Sequence, residues 1–135
     1  MMRTFLTERY PDARLWAFGD SAEMADELLA LVLRGEKTAS CCSYNAYRRD
    51  GAPVIGGYHV VLDGRDNPAC AIRTVAQRLV RYCDVTAEMA ALEGEGDKSL
   101  AYWRESHQDF FTREGGFSPE MLLVFEQFEV IEVLA

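Results

Sequence analysis

The stretch "LRGEKTASCC" (residues 33–42) sets Lys37, Thr38 and Ser40 directly behind a glycine that closes a helical pattern. A lysine amine freed of its proton is a base or nucleophile, and a nearby hydroxyl is the kind of group it activates. Most lysines do neither and are simply solvated. Lys37 differs in sitting on a tight turn behind an anchored helix, where rigid scaffolds commonly present functional residues. This makes a geometric demand. In a strictly alternating strand Lys37 and Ser40 face opposite ways, so the turn must bend between them for both to serve one site.

A second candidate set lies in "ALEGEGD" (residues 91–97), where Gly94 and Gly96 space Glu93, Glu95 and Asp97. As a plain connector this is a solvated acidic loop, with Asp97 as N-cap of the next helix. As part of a site, Glu93 or Glu95 turns inward as general acid or base. A carboxylate facing Lys37 holds the amine protonated, whereas desolvation drives it neutral, and the sequence leaves both open. Trp16, Tyr44, Tyr47, Arg48, Tyr102, Trp103 and His107 read chiefly as core and rim. A minority of them offer stacking surface for a base, with Arg48 as partner for a phosphate or carbonyl. His107 shares a helix stripe with Trp103 and reads as a hydrogen-bonded core histidine. Cys41, Cys42, Cys70 and Cys83 form no C-x-x-C pair, so no metal is expected and the thiols read as reduced and mostly buried.

The elements that must position these groups are legible. "FGDSAEMADELLALVLRG" predicts a helix, with Asp20 and Glu23 in capping-box spacing and Ala25, Leu28, Leu29 and Val32 on one apolar face. Arg34 suits the negative end of its dipole, and Gly35 suits its left-handed stop. Lys37 to Ser40 then lead into a strand. Two β-rich runs, Tyr58 to Leu62 and Ala69 to Val80, flank the turn sequence "DGRDNP" and predict a hairpin. A helical turn is expected in "TAEMAALEGEG", and a helix from about Lys98 to Phe111 carries Leu100, Trp103 and His107 on one stripe. "MLLVFEQFEVIEV" predicts a long, bulged closing strand with Leu123, Phe125, Phe128, Val130 and Val133 as its apolar set. Strands and helices without regular βαβ alternation indicate α+β, a small mixed β-barrel or curled sheet with flanking helices.

Composition bounds the function. The 135 residues carry 49% hydrophobic and 27% charged residues and a formal charge of −8, fitting one globular domain over residues 1–135. Such acidity argues against a protein held on duplex nucleic acid by phosphate neutralisation, leaving a small ligand or a short single strand in a locally basic cleft. The opening "MMRTFLTERYPDARLW" has no uninterrupted apolar core, and no run approaches a membrane span, so a cytoplasmic protein without membrane partners is expected. The oligomeric state is not set by the sequence.

"GEKTAS" resembles the G-x-K-x-x-[ST/R] signature that opens the ASCH domain family. The likeness continues through "WAFGDS", "YNAY", "VVLDGRDNPACAIRT", "DVTAEMAALEGEGDKSLAYWRESHQDFF" and "MLLVFEQFEV", nearly the whole chain. The Gly-Lys turn is weakly specific alone; joined to the acidic-loop and tryptophan-helix block it is specific, and matches the longer bacterial members. The resemblance implies a PUA-like fold, a small β-barrel with flanking helices, and a cleft for RNA or nucleoside ligands, without a cofactor. A short bacterial branch hydrolyses the amide of N(4)-acetylcytidine with a lysine, a threonine and a glutamate. By motif these fall on Lys37, on Ser40, which keeps the hydroxyl, and on Glu93, with Glu95 the alternative. Extra sequence around the acidic loop departs from that branch and leaves the glutamate register open. Other long members resemble single-strand ribonucleases, for which Lys37 and Ser118 would serve. The leading expectation is an amidohydrolase in which Lys37 activates the attacking group, directly or through Ser40, and Glu93 shuttles the proton. Thr38, Tyr44, Arg48, Glu95, Trp103 and Ser118 are the expected substrate-binding residues. Lys37→Ala is expected to abolish turnover with the fold intact. A ribonuclease, or a non-catalytic module binding RNA or a modified nucleotide, is the alternative.

Overall fold

The computed structural model describes residues 8–50 and 54–133; residues 1–7, which belong to the segment read above for a leader, lie outside them. Helix α1 (Ala22–Leu33) forms where the apolar spacing predicted it and buries Ala25, Leu29 and Val32. Its cap is Ser21, whose Oγ accepts from Met24 N, and not Asp20, which instead pairs with Arg113 at 2.9 Å. Gly35 takes φ +78 just past the end, a left-handed geometry that glycine adopts without strain. Arg34 turns away from the helix end to meet Glu36 at 2.6 Å.

The strands are β1 (Arg14–Trp16), β2 (Ala39–Ser43), β3 (Tyr58–Leu62), β4 (Pro68–Arg81) and β5 (Leu122–Val133). They form one mixed sheet in the order β1-β3-β4-β5-β2, curled into a half-barrel. β1 runs parallel to β3, and the other pairings are antiparallel. The hairpin turn between β3 and β4 is tied by Asp63 Oδ1, which accepts from the amides of Arg65 and Asn67. Two register shifts break the β4–β5 ladder, one beside Ala71/Ile72 and one beside Thr74/Ala76. Bulges of this kind add local twist, which is how two long strands curl. The residues skipped in the pairing, Val75 and Ile131, are exposed. Val130 and Val133, part of the apolar set that marked the strand, lie in β5 and are 37% and 50% exposed.

A short helix α2 (Tyr44–Asp50), unforeseen in the sequence, follows β2 directly, with Ser43 Oγ accepting from Ala46 N. Helix α3 (Ala87–Glu93) is capped by Thr86 and ends on Gly94 at φ +71. Helix α4 (Leu100–Glu114) is capped by Ser99; Asp97, expected as the cap, lies two residues earlier and accepts from Ser99 N. Trp103, His107 and Phe111 are the buried stripe of α4, as their spacing required.

Two larger apolar clusters cover the sheet, beside a smaller one around Val60 and Leu62. One joins α3 and α4 to β2, β4 and β5 through Met89, Trp103, Phe111, Leu123 and Phe125. The other seats α1 through Leu29 and Val32 on Val61, Ile72 and Phe128, with Phe18 against it. Burying each such side chain contributes about 1.5–3 kcal/mol. Of the four cysteines, all free, only Cys70 is buried; Cys41 and Cys42 are half-buried and Cys83 is exposed, which corrects the expectation of mostly buried thiols. Among the described residues no helix is long and apolar enough to cross a membrane.

Candidate active site: a lysine enclosed by two carboxylates

The seam between the clusters holds Lys37. Its backbone is fixed by the end of α1, since Leu31 O accepts from the amides of both Glu36 and Lys37. Thr38 then turns the chain into β2: its amide donates to Leu92 O at 2.9 Å, and Phe128 N donates back to Thr38 O at 3.0 Å. Lys37 and Thr38 lie outside the strand, which supplies the bend that strict alternation forbids. From the other side Gly94 meets the Glu36 carbonyl so closely that a Cβ there would collide with it. Helix α3 therefore delivers Glu93 against Lys37 through a contact that only glycine permits.

Lys37 is 2% exposed. Its Nζ donates to Glu95 Oε2 at 2.8 Å, Ala39 O at 3.0 Å and Glu93 Oε1 at 3.4 Å, and stands 5.5 Å from the Phe18 ring centroid. Glu93 Oε2 accepts from Trp103 Nε1 at 2.7 Å, and His107 Nε2 lies 3.3 Å from Glu93 Oε1. Burial pushes the Lys37 amine toward neutrality, but the charges of Glu93 and Glu95 outweigh it and hold the group above its ordinary value. Burial likewise works against ionised Glu93, and is overcome by the Lys37 charge and then by His107, so the carboxyl is pulled down to about 2. The competition left open by the sequence thus resolves to an ammonium facing a carboxylate.

His107 completes the charge balance. Its Nδ1 lies 2.9 Å from Trp103 O and its Nε2 faces Glu93. Both neighbours are acceptors, which favours the doubly protonated ring, and, against burial, the Glu93 carboxylate raises the His107 pKa. The ring stacks on Trp103 at 4.1 Å, the i, i+4 stripe seen in the sequence. It is a hydrogen-bonded buried histidine, as read, but it also belongs to the charged cluster. Cys41, Glu93 and His107 place potential metal-binding atoms within 4.8 Å of one another. Both His107 nitrogens face acceptors, which disfavours an open lone pair for a metal, and the Lys37 ammonium already stands at the shared carboxylate, where a divalent ion would oppose it. Burial, followed by Glu93, lifts the Cys41 thiol well above its ordinary range and keeps it protonated.

Lys37, Glu93, Glu95, His107, Ser40 and Cys41 border an inner cavity of ≈ 70 Å³. An outer cleft of ≈ 300 Å³ shares Phe18, Gly19, Ser40, Cys41 and Phe110 with it and adds Trp16, Tyr47, His59 and Glu126. Larger clefts of ≈ 510 and ≈ 490 Å³ elsewhere touch neither Lys37 nor the loop glutamates. Lys37, Ser40, Glu93 and Glu95 are therefore brought together. Trp103 supports Glu93 from the core. The Thr38 hydroxyl reaches Leu92 O at 3.4 Å, on the far side of the turn. Tyr44 lines the ≈ 490 Å³ cleft, with Arg48 exposed above its ring. Ser118 is exposed and bonds within its own turn. Phe18, Cys41 and Glu126 were not picked out as site residues from the sequence; Phe18 and Glu126 lie in the blocks "WAFGDS" and "MLLVFEQFEV", the one signal for them, and only the β2–β5 register sets Glu126 opposite Ser40.

The model of a family described as the ASCH domain matches residues 14–132. The chain is similar to the crystal structure of an ASCH domain from Lactobacillus crispatus JV V101, at 37% identity and TM-score 0.83, over 95% of this chain and 85% of that one. It is similar also to a protein of Enterococcus faecalis V583 from the domain family DUF984, at 33% identity and TM-score 0.82, over 96% and 85%. The hypothetical protein PH0355 shares the fold alone, at 16% identity and TM-score 0.61, over 88% of this chain and 99% of that one. No curated protein matches the chain.

Proposed function

The chain belongs to the ASCH domain family, and from that premise we propose that it hydrolyses a small nucleoside-like amide, of the N(4)-acetylcytidine type, at the Lys37 cavity. The observation that carries the reading is a buried ammonium, 2.8 Å from a partly exposed carboxylate, at the end of a small cavity with a wider cleft beside it. The inner space of ≈ 70 Å³ equals about two waters' share of liquid, room for an acetyl group. The outer ≈ 300 Å³ is within the range of small-ligand sites and suits a planar ring.

The protonation states divide the labour. Lys37, held cationic, turns the N–H it gives Glu95 at rest toward the amide carbonyl oxygen as Glu95 takes up a proton and negative charge develops there. It does not supply a free amine, so the expected activation of the nucleophile by Lys37 is revised. A carboxyl pulled down to about 2 is a poor base, and Glu93 is assigned to holding Lys37 rather than to shuttling protons. Glu95 takes that part. It removes a proton from water, whose oxygen bonds to the acyl carbon; the C–N bond breaks as Glu95 passes the proton to the departing nitrogen. A carboxylic acid and a free amine result, and the protein returns to its starting state. Ser40, on the wall common to both cavities, hydrogen-bonds the amide during attack.

The test is incubation with N(4)-acetylcytidine and, separately, a labelled RNA oligomer. Deacylated nucleoside with intact RNA is expected. Shortened RNA with intact amide refutes the proposal in favour of a ribonuclease, and no reaction with either leaves a ligand-binding module. Turnover of a neutral nucleoside should also change little with salt, whereas phosphate-dependent binding falls steeply.

A further inference from the structure

We propose that Glu126 is the specificity residue of the outer cleft, its Oε2 donating a hydrogen bond to a ring-nitrogen acceptor of a neutral heteroaromatic ligand such as N3 of an acylated cytosine. The inference rests on the amide-hydrolysis reading for the substrate class, and on separate observations for the residue.

Glu126 is the register partner of Ser40 across β2 and β5. Directly opposed residues in an antiparallel pair share a face with Cβ atoms about 4.5–5.5 Å apart, so the carboxyl stands beside the wall where the two cavities meet. Both residues line the outer cleft. Thr74 and Gln77 from β4 hydrogen-bond the carboxyl, yet its Oε2 is shielded from solvent and has no partner among the described residues. A buried oxygen left so is costly, and because the Glu126 side chain lines the cleft, a rotation of its carboxyl toward a ligand there satisfies it.

The carboxyl can be a donor because burial outweighs Gln77, Lys37 and Thr74 and pushes it up to about 7. A neutral ligand excludes more water and favours the uncharged acid, whose proton needs an acceptor. The other groups lining the cleft are Arg14 from β1, His59 from β3, Cys41 and Cys42 from β2, Tyr47 from α2 and Glu114 from α4. Burial and Arg14 lower His59, and its Nδ1 accepts from Trp16, so its neutral ring is favoured. Cys41 is raised well above it. The ring's faces would meet an aromatic rim: Trp16 is anchored by donating to His59 Nδ1 at 2.7 Å, and Phe18 stands edge-on to it at 4.6 Å.

The experiment compares N(4)-acetylcytidine with its 3-deaza analogue, in which C–H replaces the ring nitrogen, by turnover and by calorimetric binding, across about pH 5.5–8.5. Wild type should prefer the parent roughly ten- to a hundredfold, the preference fading as pH rises through the Glu126 titration. Glu126→Leu should treat the two alike. Glu126→Gln, whose amide N–H still donates, should keep the preference and lose its pH dependence. A wild type that does not discriminate, or a Glu126→Leu variant that still does, overturns the proposal. Should Glu126→Leu fail to fold, an unaltered pH dependence in Glu126→Gln overturns it equally. If wild type binds without turnover, the hydrolysis reading falls, while a Glu126-dependent preference in Kd upholds this one; no binding of either compound overturns it.

Discussion

Lys37→Met replaces the ammonium by a side chain of similar length and leaves Glu93 as a carboxylate whose side chain is 1% exposed. The magnitude follows from the cluster. Glu93 is held at about 2 against an ordinary 4.5, and each pKa unit corresponds to about 1.4 kcal/mol, so its surroundings favour the ion by about 3 kcal/mol. Breaking a buried pair from one side costs about 3–5 kcal/mol by general experience, which agrees. At pH 8 the variant should therefore lose about 3 kcal/mol, a drop of about 1–3 M in the urea midpoint for slopes of about 1–3 kcal/mol/M. The gap should narrow toward pH 4, because Glu93 without its cation is pushed up by burial and can take a proton. Lys37→Met combined with Glu93→Gln should recover part of the loss. Urea unfolding followed by circular dichroism at several pH values reads all three variants. An unchanged midpoint at pH 8, or a gap that does not narrow in acid, would refute the buried ion pair. The same reasoning corrects the expectation that Lys37→Ala spares the fold, since alanine adds a cavity to the orphaned charge.

Glu95→Gln, at a carboxylate with a 15% exposed side chain, should lower kcat by about 10²–10⁴-fold on the acylated nucleoside, with a smaller loss of stability than Lys37→Met because Glu93 still pairs the lysine; unaltered kcat would remove Glu95 from the mechanism. Wild-type stability should fall in acid through a defined window: Glu93 is depressed, so its contribution is complete above about 4.5 and disappears as pH falls toward about 2. Trp103→Phe removes the 2.7 Å donor to Glu93 and should cost about 1.5–3 kcal/mol while moving that acid transition upward, readable by the same titration. Gly94→Ala forces a side chain into φ +71 and against the Glu36 carbonyl, and should destabilise by at least about 2 kcal/mol in thermal melts.

The fold was largely legible because its signals are local. The Leu29/Val32 face, the Gly35 stop, the "DGRDNP" turn and the Trp103–His107–Phe111 stripe each act over a few residues, and each element formed where it was read. The errors were local competitions. Ser21 and Ser99 took the capping places expected of Asp20 and Asp97. At the site, residue types were legible and roles were not. Glu93 and Glu95 have the same chemistry in sequence, but Glu93 ends a helix and points inward while Glu95 sits at the mouth.

By itself the sequence determined which side chains were available and which elements would carry them, since propensity, capping and apolar spacing are properties of neighbours along the chain. Tertiary structure alone decided their charge states and their partners. Lys37 and Glu93 are 56 positions apart, and Ser40 meets Glu126 only through the β2–β5 register. Desolvation and Coulomb attraction depend on depth and distance in space. Neither exists until the sheet closes the seam and the glycine at 94 lets the acidic loop reach the lysine.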